Sequence, residues 1–167
     1  NTMNSFTIVG APPLPAGSYQ VAEWRLISPT YFQTMRIPLR HGRWFTNQDD
    51  GKLPVVLVNE AFARQYFGTD DPLRHQLTTI GAPEPCQIVG IVGDEKFHGL
   101  GNPSPPILYL PLTQCSQASM SLVVRTRTTP LSLARPVQEA IWAVDPAQPV
   151  SKVRGLEELV ADSISLQ

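Results

Sequence analysis

Short apolar runs dominate the pattern of this sequence, and they predict short strands. Residues 55–58 and 87–92 are nearly continuous apolar runs, which are typical of strands buried on both faces. Residues 107–110 are apolar between Pro105-Pro106 and Pro111, which predicts a strand at a sheet edge or in a crossing between two lobes. Weaker patterns predict further strands at residues 21–27, 122–126 and 150–153, and at most a short strand at residues 6–9 of a proline-rich entry segment.

Capping residues and periodicity predict two helices in the first half of the chain. Ser28-Pro29 is a start signal for about two turns, which carry an aromatic face and end before Pro38. Asn59 is a suitable N-cap for a helix over residues 60–67, and Gly68 is a suitable left-handed residue to end it.

The second half contains the clearest helical period. Residues 132–144 carry an amphipathic stripe, which we expect to pack against a sheet: Leu133, Val137, Ala140, Ile141 and Val144. The opposite side, with Arg135, Gln138 and Glu139, is expected to face water. A terminal helix is predicted after Gly155. Strands and helices in this order predict an α+β fold.

Composition narrows the function classes. The 167 residues carry 13 basic and 14 acidic side chains, a formal net charge of −1, and the arginines are scattered singly, so a nucleic-acid partner is not expected. The apolar runs are far shorter than the roughly 18 to 20 residues that span a bilayer. Because the chain starts at Asn1 without an initiator Met and stops abruptly at Gln167, we expect it to be a fragment of a larger protein.

Residue types that carry chemistry are present without the spacing that chemistry needs. The glycines at 90, 93, 99 and 101 form neither dinucleotide-binding nor P-loop spacing, so we expect turns with positive φ there. The histidines at 41, 75 and 98 lack a ligand partner at helical or strand spacing. The acidic pairs at 49–50, 70–71 and 94–95 need not converge, because two of them lie in turn-forming segments and adjacent residues of a strand point to opposite faces. Cys86 and His98 show no nucleophile motif. The sequence therefore predicts no catalytic residue, no cofactor and no metal site.

The cysteines and the aromatic residues leave alternatives open. Antiparallel pairing of the strands at 87–92 and 107–110 would bring Cys86 and Cys115 to neighbouring ends, where one disulfide could form. Two free thiols are the other interpretation. Trp142 is expected at the edge of the core, with a partner surface as the alternative, and three further aromatic residues are candidates for exposure: Trp24, Trp44 and Phe97.

Several sequence blocks together resemble one family. LISPTYFQTM at 26–35, IPL at 37–39 and GRWFT at 42–46 resemble a signature of the periplasmic core domain in MacB/FtsX-type ABC transporter permeases. Further blocks follow in the family's order: VVLVNEAFAR at 55–64, IVGIVGD at 88–94, VVRT at 123–126, VDP at 144–146 and LEEL at 156–159. Two positions depart from the family pattern, because Arg36 and Arg74 stand where the family commonly has glycine.

The resemblance implies a fold and a location. It implies an extracytoplasmic domain with a porter-like β-α-β lobe, formed by residues 1–53 and 113–167. An inserted small α/β lobe of the kind called Sabre would comprise residues 54–112. The domain would lie between the first and second transmembrane helices of a bacterial inner-membrane permease.

The resemblance also implies a function without catalysis. The domain would transmit conformational change between the transmembrane and ATPase parts and periplasmic substrates or partners. The implied partners are its own transmembrane helices and a cytoplasmic ABC ATPase, with a second permease copy and a periplasmic adaptor as further candidates. The alternative class is a periplasmic solute- or lipoprotein-binding module, which would need an apolar cleft with convergent polar groups.

Overall fold

The computed structural model describes residues 2–46, 48–49, 54–79, 84–95, 102–114 and 119–165. The contacts within the chain define two compact units. The first comprises Asn1–Glu95 and Pro103–Leu122, and the second comprises Lys96–Asn102 and Val123–Gln167. The first unit contains the sheet, and the two units are described separately below.

The first unit is built on a mixed sheet. Its strands are β1 (Thr2–Ile8), β2 (Gln20–Ile27), β3 (Leu39–Gly42), β4 (Val55–Asn59), β5 (Gln76–Thr79), β6 (Cys86–Val92) and β7 (Ile107–Pro111). The strand order is β3-β6-β4-β7-β2-β1-β5, and β6 also pairs with β5. Six strands therefore close into a barrel-like ring, while β3 shares one edge of β6 with β5. The β2–β7 and β4–β6 pairs are parallel, and the other pairs are antiparallel.

Strands β4 and β7 are buried on both faces, which explains their continuous apolar runs. Successive side chains of a strand point to opposite faces, so β4 sends Val56 and Val58 into one core and Val55 and Leu57 into the other. The first core is completed mainly by Phe6, Ala22, Phe62, Leu77, Ile88, Leu108 and Leu110. The second contains Ile27, Phe32, Ile37, Phe45, Ile107 and Tyr109.

Two helices of the first unit confirm the predicted start and stop signals in part. Helix α2 (Glu60–Tyr66) follows Asn59, whose side chain accepts a hydrogen bond from the Phe62 amide, and the chain turns at Gly68 with φ of 60°. Helix α1 (Tyr31–Met35) is shorter than predicted. Thr30, rather than Ser28, is its N-cap residue, and its side chain makes no cap hydrogen bond.

The two departures from the family pattern have different structural settings. Arg36 ends α1 in the left-handed region, with φ of 57° and ψ of 36°, where glycine is the favoured residue. Arg74 closes a 3-10 turn (Pro72–Arg74) without a positive φ, and Asp71 caps that turn by accepting from the Leu73 amide at 3.1 Å. Arg36 is therefore strained, whereas Arg74 fits its turn.

The predicted strands of the first unit are present, with one error of position. The strands predicted at 21–27, 55–58 and 87–92 are confirmed as β2, β4 and β6, whereas β1 is longer than predicted, and β3 and β5 were not predicted. The prediction that residues 107–110 lie at an edge or in a crossing is wrong. Strand β7 lies between β4 and β2 and is buried along its length. Pro105 and Pro106 precede β7, and Pro111 is its last residue, opposite Ile27 of β2, so no proline removes an amide from residues 107–110.

The expectation of positive φ at Gly90 and Gly93 is also wrong. A Cβ atom on Gly90 would lie 2.6 Å from the Arg43 carbonyl oxygen and 2.6 Å from Leu57 Cδ2. A Cβ atom on Gly93 would meet the Pro38 ring at 3.0 Å. Both glycines permit the close approach of the chain around β3 to β6. Gly99 and Gly101 lie outside the described residues.

The second unit is helical in its described part. A 3-10 turn (Pro130–Leu133) leads into α3 (Ala134–Val144), which confirms the predicted helix, and α4 (Leu156–Ser165) confirms the terminal one. The strands predicted at 122–126 and 150–153 are absent. Helix α3 has no buried residue, and Val144 is 88% exposed. The predicted packing of its apolar stripe on a sheet is therefore wrong for this structure, since the strands that would form that sheet are absent.

The contact units do not coincide with the predicted lobe boundaries. Strands before and after residue 54 belong to one sheet, and the contacts divide the chain between Leu122 and Val123. The assignment of a porter-like lobe to residues 1–53 and 113–167, and of a Sabre-like lobe to 54–112, stays a prediction. Among the described helices, none has the length and apolarity that crossing a membrane would require.

Replacing Arg36 by glycine should stabilise the first unit. The left-handed conformation costs an L-residue about 1 to 2 kcal/mol, and glycine's larger unfolded-state entropy offsets part of the relief. We expect Arg36→Gly to raise the free energy of unfolding by about 0.5 to 1 kcal/mol in urea titrations. Gln33→Gly, within α1, is the control and should lower it by about 1 kcal/mol. Destabilisation by both variants would contradict the left-handed assignment.

Candidate functional site

A buried polar cluster forms around the carboxylate of Glu95, a residue that is only 8% exposed. Its Oε1 accepts from the Tyr109 hydroxyl at 2.9 Å and lies 2.6 Å from Arg25 Nη1. Its Oε2 accepts from the Tyr31 hydroxyl at 2.9 Å. Three donors from three separate elements thus converge on one side chain.

The sheet register explains why these donors meet. Arg25 and Tyr109 are cross-strand partners in the parallel β2–β7 pair, so their side chains leave the same face. Tyr31 comes from the first turn of α1, and Glu95 follows the end of β6. Arg25 also donates through Nη2 to Oε2 of Glu23, a second buried carboxylate two residues earlier on β2, at 3.1 Å.

The electrostatics of the cluster keep its donors protonated. Burial lowers the pKa of Arg25, but the negative charge of Glu95 and the hydrogen bond to Glu23 outweigh this effect and raise the pKa overall. Burial, followed by the charge of Glu95, raises the pKa of both tyrosine hydroxyls far above the ordinary value. At neutral pH the tyrosines therefore act as hydrogen-bond donors, which suits a structural clamp better than proton transfer.

A second buried polar group joins β4, α2 and β7. Asn59 is fully buried, and its Oδ1 accepts from the amides of Phe62 at 3.0 Å and Ile107 at 2.9 Å. Its Nδ2 donates to the Pro105 carbonyl at 2.9 Å. The Asn59 side chain thus satisfies two backbone donors and one acceptor, and serves as both a helix cap and a strand tie.

The neighbouring acids Asp94 and Glu95 do not converge, in agreement with the interpretation that such a pair need not. Asp94 accepts from the Ala61 amide at 2.8 Å and from Arg64 Nη2 at 2.7 Å, so it binds the N-terminal turn of α2. A carboxylate at that position is favoured by the helix dipole. Glu95 instead binds the Arg25 cluster. The two carboxylates therefore support different elements.

The other acidic pairs are used in local structure. Asp49 accepts two hydrogen bonds from the Arg43 guanidinium, both at 2.9 Å, and one from the Thr46 amide at 2.6 Å. The Arg43 hydrogen bonds hold the pKa of the Asp49 carboxyl below its ordinary value, against the opposing effect of burial. Asp70 pairs with His75 at 2.7 Å. Asp50 lies outside the described residues.

The candidate metal and nucleophile residues are not brought together in the described part of the chain. His41 is exposed on β3, and His75 is occupied with Asp70. His98 lies outside the described residues. No group of three or more His, Cys, Asp or Glu side chains is arranged to hold a metal ion among the residues that the structure describes.

The structure tests only half of the predicted cysteine pair. Cys86 is buried at the start of β6, with Sγ 3.9 Å from the Glu84 carbonyl oxygen. Cys115 lies outside the described residues, so the disulfide stays a prediction. Strands β6 and β7 both pair with β4 rather than with each other, although they run in opposite directions.

The candidate exposed aromatic residues differ in their settings. Trp44 stacks on Phe32 with ring centroids 5.0 Å apart, and Trp24 packs against the first core. Trp142 is 41% exposed and donates from Nε1 to the Gln148 carbonyl at 3.0 Å, within the second unit. Phe97 lies outside the described residues.

The family comparison decides what kind of domain this is. The profile of the MacB-like periplasmic core domain matches residues 4–144, most of the chain. The chain belongs to this family. The resemblance found in the sequence is confirmed, and so is the expected extracytoplasmic location in an ABC permease. Domains of this transporter family are generally non-catalytic.

One solved structure shares the fold. The periplasmic region of MacB from Actinobacillus actinomycetemcomitans matches with a TM-score of 0.56 and 16% identity, over 86% of this chain and 67% of that chain. This likeness shows a shared α+β fold and no more. The comparison with curated proteins gives no match.

Two further solved structures are similar at a level too weak to carry an argument. The extracellular domain of the ABC-type transporter YknZ from Gram-positive bacteria has a TM-score of 0.44 and 17% identity, over 65% of this chain and 53% of that chain. A domain of a permease protein from Porphyromonas gingivalis has a TM-score of 0.48 and 17% identity, over 83% of this chain and 62% of that chain. The chain thus spans less than two thirds of both structures.

Asn59→Ala should be strongly destabilising. The change leaves the buried amides of Phe62 and Ile107 and the Pro105 carbonyl without their partner, and it removes a helix cap. We expect a loss of about 2 to 4 kcal/mol in urea unfolding. Asp71→Ala, which removes an exposed cap, is the control and should cost about 1 kcal/mol or less. Equally small losses of unfolding free energy for both variants would contradict the conclusion that the Asn59 side chain joins β4, α2 and β7.

Asp49 should contribute stability that depends on pH. Its folded pKa is depressed, so its contribution is present above the unfolded value of about 4 and is lost as the pH falls through the folded pKa. Asp49→Asn should cost about 1 to 2 kcal/mol at pH 7, since Arg43 is half exposed. In thermal melts, the difference in stability between Asp49→Asn and the wild type should become smaller below about pH 4. Glu84→Gln, at an exposed position, is the control. A stability difference between Asp49→Asn and the wild type that does not change with pH would contradict the lowered pKa of Asp49.

Proposed function

We propose that this domain is non-catalytic and transmits conformational change within an ABC permease. Movement driven by a cytoplasmic ABC ATPase would pass through the permease's own transmembrane helices into this domain. From there it would act on periplasmic substrates or partner proteins. A second permease copy and a periplasmic adaptor are part of this proposal, as is the division into porter-like and Sabre-like lobes.

The observation that carries the proposal is the division of the chain into two compact units. Among the described stretches, the chain passes from the first unit to the second between Leu122 and Val123. A domain with two separately compact units has a natural boundary for movement, and relative motion is the default expectation for such units. The sheet of the first unit closes into a ring, which suits a body that moves as a whole.

The internal hydrogen bonding of the buried carboxylates supports a mechanical function. An enzyme site brings titratable groups together in a cleft and leaves them available to substrate. The buried carboxylates described here are instead bound by internal donors. Glu95 accepts from two tyrosines and an arginine, and Asp49 accepts from Arg43 and Thr46.

The alternative, a solute- or lipoprotein-binding module, gains no support from the first unit. A groove beside β3 and α2 is lined by Arg40, Glu60, Arg64 and Asp70, among other residues. Arg40 pairs with Glu60 at 3.3 Å, and Arg64 pairs with Asp94 at 2.7 Å. The charges in this groove are thus paired with protein groups, whereas a binding cleft presents polar groups to its ligand.

Distance measurements between the units test the proposal. Thr69 and Ala143 are both exposed. Each is replaced by a ketone-bearing amino acid that carries a nitroxide label, so that the native cysteines are neither labelled nor replaced. In the full permease, reconstituted in nanodiscs with its ATPase, we expect the distance between the labels to shift between the nucleotide-free and the vanadate-trapped states. A control pair at Thr69 and Gln48, both within the first unit, should not shift. An unchanged distance between Thr69 and Ala143 in an ATPase-active preparation would overturn the proposal.

A further inference from the structure

The connection between β1 and β2 is longer than the fold needs, and it is rich in proline. Residues 9–19 join these two antiparallel neighbours, whereas about two to five residues suffice for a hairpin connection. Every residue of the connection is exposed. It contains the sequence APPLP at residues 11–15. Joining the two strands therefore explains neither the length nor the composition of this connection.

The residue types at 11–15 fix an extended conformation. Proline holds its own φ at about −65°, and a residue before proline is kept out of the helical region. All three prolines of the segment are under the first restriction, and Ala11, Pro12 and Leu14 are under the second. A polyproline II helix satisfies both restrictions. In agreement, the structure has no α-helix or strand over residues 11–15, which would extend over about 15 Å in this conformation.

Both ends of the segment are fastened by backbone hydrogen bonds. Before it, the Val9 amide donates to the Gln76 carbonyl of β5 at 2.9 Å. After it, the Ser18 amide donates to the Pro15 carbonyl at 3.0 Å and closes a turn. A proline-rich segment that is fixed at both ends has little conformational entropy left to lose when it binds a partner.

The segment leaves its carbonyl oxygens and apolar surface available. Within the part of the chain that the structure describes, the carbonyl groups of residues 11–14 accept no hydrogen bond. Leu14 is 41% exposed, and Tyr19, which follows the segment, is 76% exposed. Residues 1–22 contain no charged side chain, so recognition here cannot use ion pairs. These groups fit a groove lined by aromatic side chains that also donate hydrogen bonds.

Rigidity of the loop does not by itself account for this surface. Proline stabilises a fold by restricting the unfolded chain, and that effect needs no exposed apolar neighbours. Three large apolar side chains are nevertheless exposed in the same connection: Val9, Leu14 and Tyr19. Apolar surface that is concentrated in one exposed segment is typical of an interaction site.

We propose that residues 11–15 are a preformed polyproline II ligand that docks into an aromatic-lined groove of an extracytoplasmic partner protein. A polyproline II helix has three residues per turn, so Pro12 and Pro15 lie on the same side and pack against the rings of the groove. The proposal rests on the proposed function, which assigns a periplasmic partner to this domain. It adds the segment that the partner binds and the chemistry of the contact.

Photocross-linking in intact cells of the native host tests the proposal. In the full permease, p-benzoylphenylalanine replaces Ala16, an exposed residue next to the segment. Irradiation should yield an adduct with an extracytoplasmic protein, and mass spectrometry should place the adduct at a groove with aromatic lining. Pro12→Ala/Pro15→Ala should lower the yield of the adduct by about tenfold or more, because the segment loses two packing rings and its preformed conformation.

Pro29→Ala/Pro146→Ala is the matched control. It also replaces two exposed prolines, but both lie outside the connection, and the yield of the adduct should equal that of the wild type. Thermal melts of the purified permeases establish that each variant is folded. Should Pro12→Ala/Pro15→Ala not fold, Leu14→Asp replaces it. That variant keeps all three prolines and puts a charge on the apolar surface, so it should lower the yield in the same way.

The remaining outcomes overturn the inference. These are no adduct, an adduct only with lipid or with a second permease copy, an adduct at a surface without aromatic lining, and a yield that the variants of the segment leave unchanged. The distance between labels at Thr69 and Ala143 separates this result from the proposed function. If that distance shifts with nucleotide and the expected adduct is missing, only the inference fails. If the adduct forms as expected and the distance does not shift, only the transmission of movement fails.

Discussion

The burial of the Glu95 carboxylate is the constraint on which the first unit depends. A buried carboxylate needs donors, and Arg25, Tyr31 and Tyr109 supply them from β2, α1 and β7. Arg25 and Tyr109 can meet it together because β2 and β7 lie side by side in parallel register. The same arrangement places β7 inside the sheet and α1 over the second core. The pairing of β2 with β7 and the burial of the Glu95 carboxylate therefore depend on each other.

The sequence predicts those parts of the fold that depend on neighbouring residues. The buried runs of β4 and β6 and the Asn59 cap are local signals, and the structure confirms them. The central position of β7 is not a local property, because it depends on pairing with β2 and β4. For α3, the amphipathic stripe predicts the helix correctly, whereas burial of that stripe requires strands that the described second unit lacks.

The candidate site is less accessible from the sequence. Tyr31 and Glu95 are separated by 64 positions, and no spacing rule connects them. The carboxylate pair at 94–95 gives no reason to expect convergence, and the two side chains do not converge, but the sequence does not identify their partners. The one available signal is a pair of opposite charges on the same face of one strand, as in β2, where Glu23 is buried and Arg25 is partly buried. Such residues require internal partners, and Arg25 has Glu23 and Glu95 as its partners here.

A double-mutant cycle between Arg25 and Glu95 tests the central claim most directly. Arg25→Met and Glu95→Leu each leave a buried charge without its main partner, and each should cost about 3 to 5 kcal/mol in urea unfolding. The double variant should cost less than the sum of the two by about 1 kcal/mol or more, since neither charge is then left unpaired by the loss of the other. Costs that add to within about 0.5 kcal/mol would show that the two side chains are energetically independent, and would contradict the account.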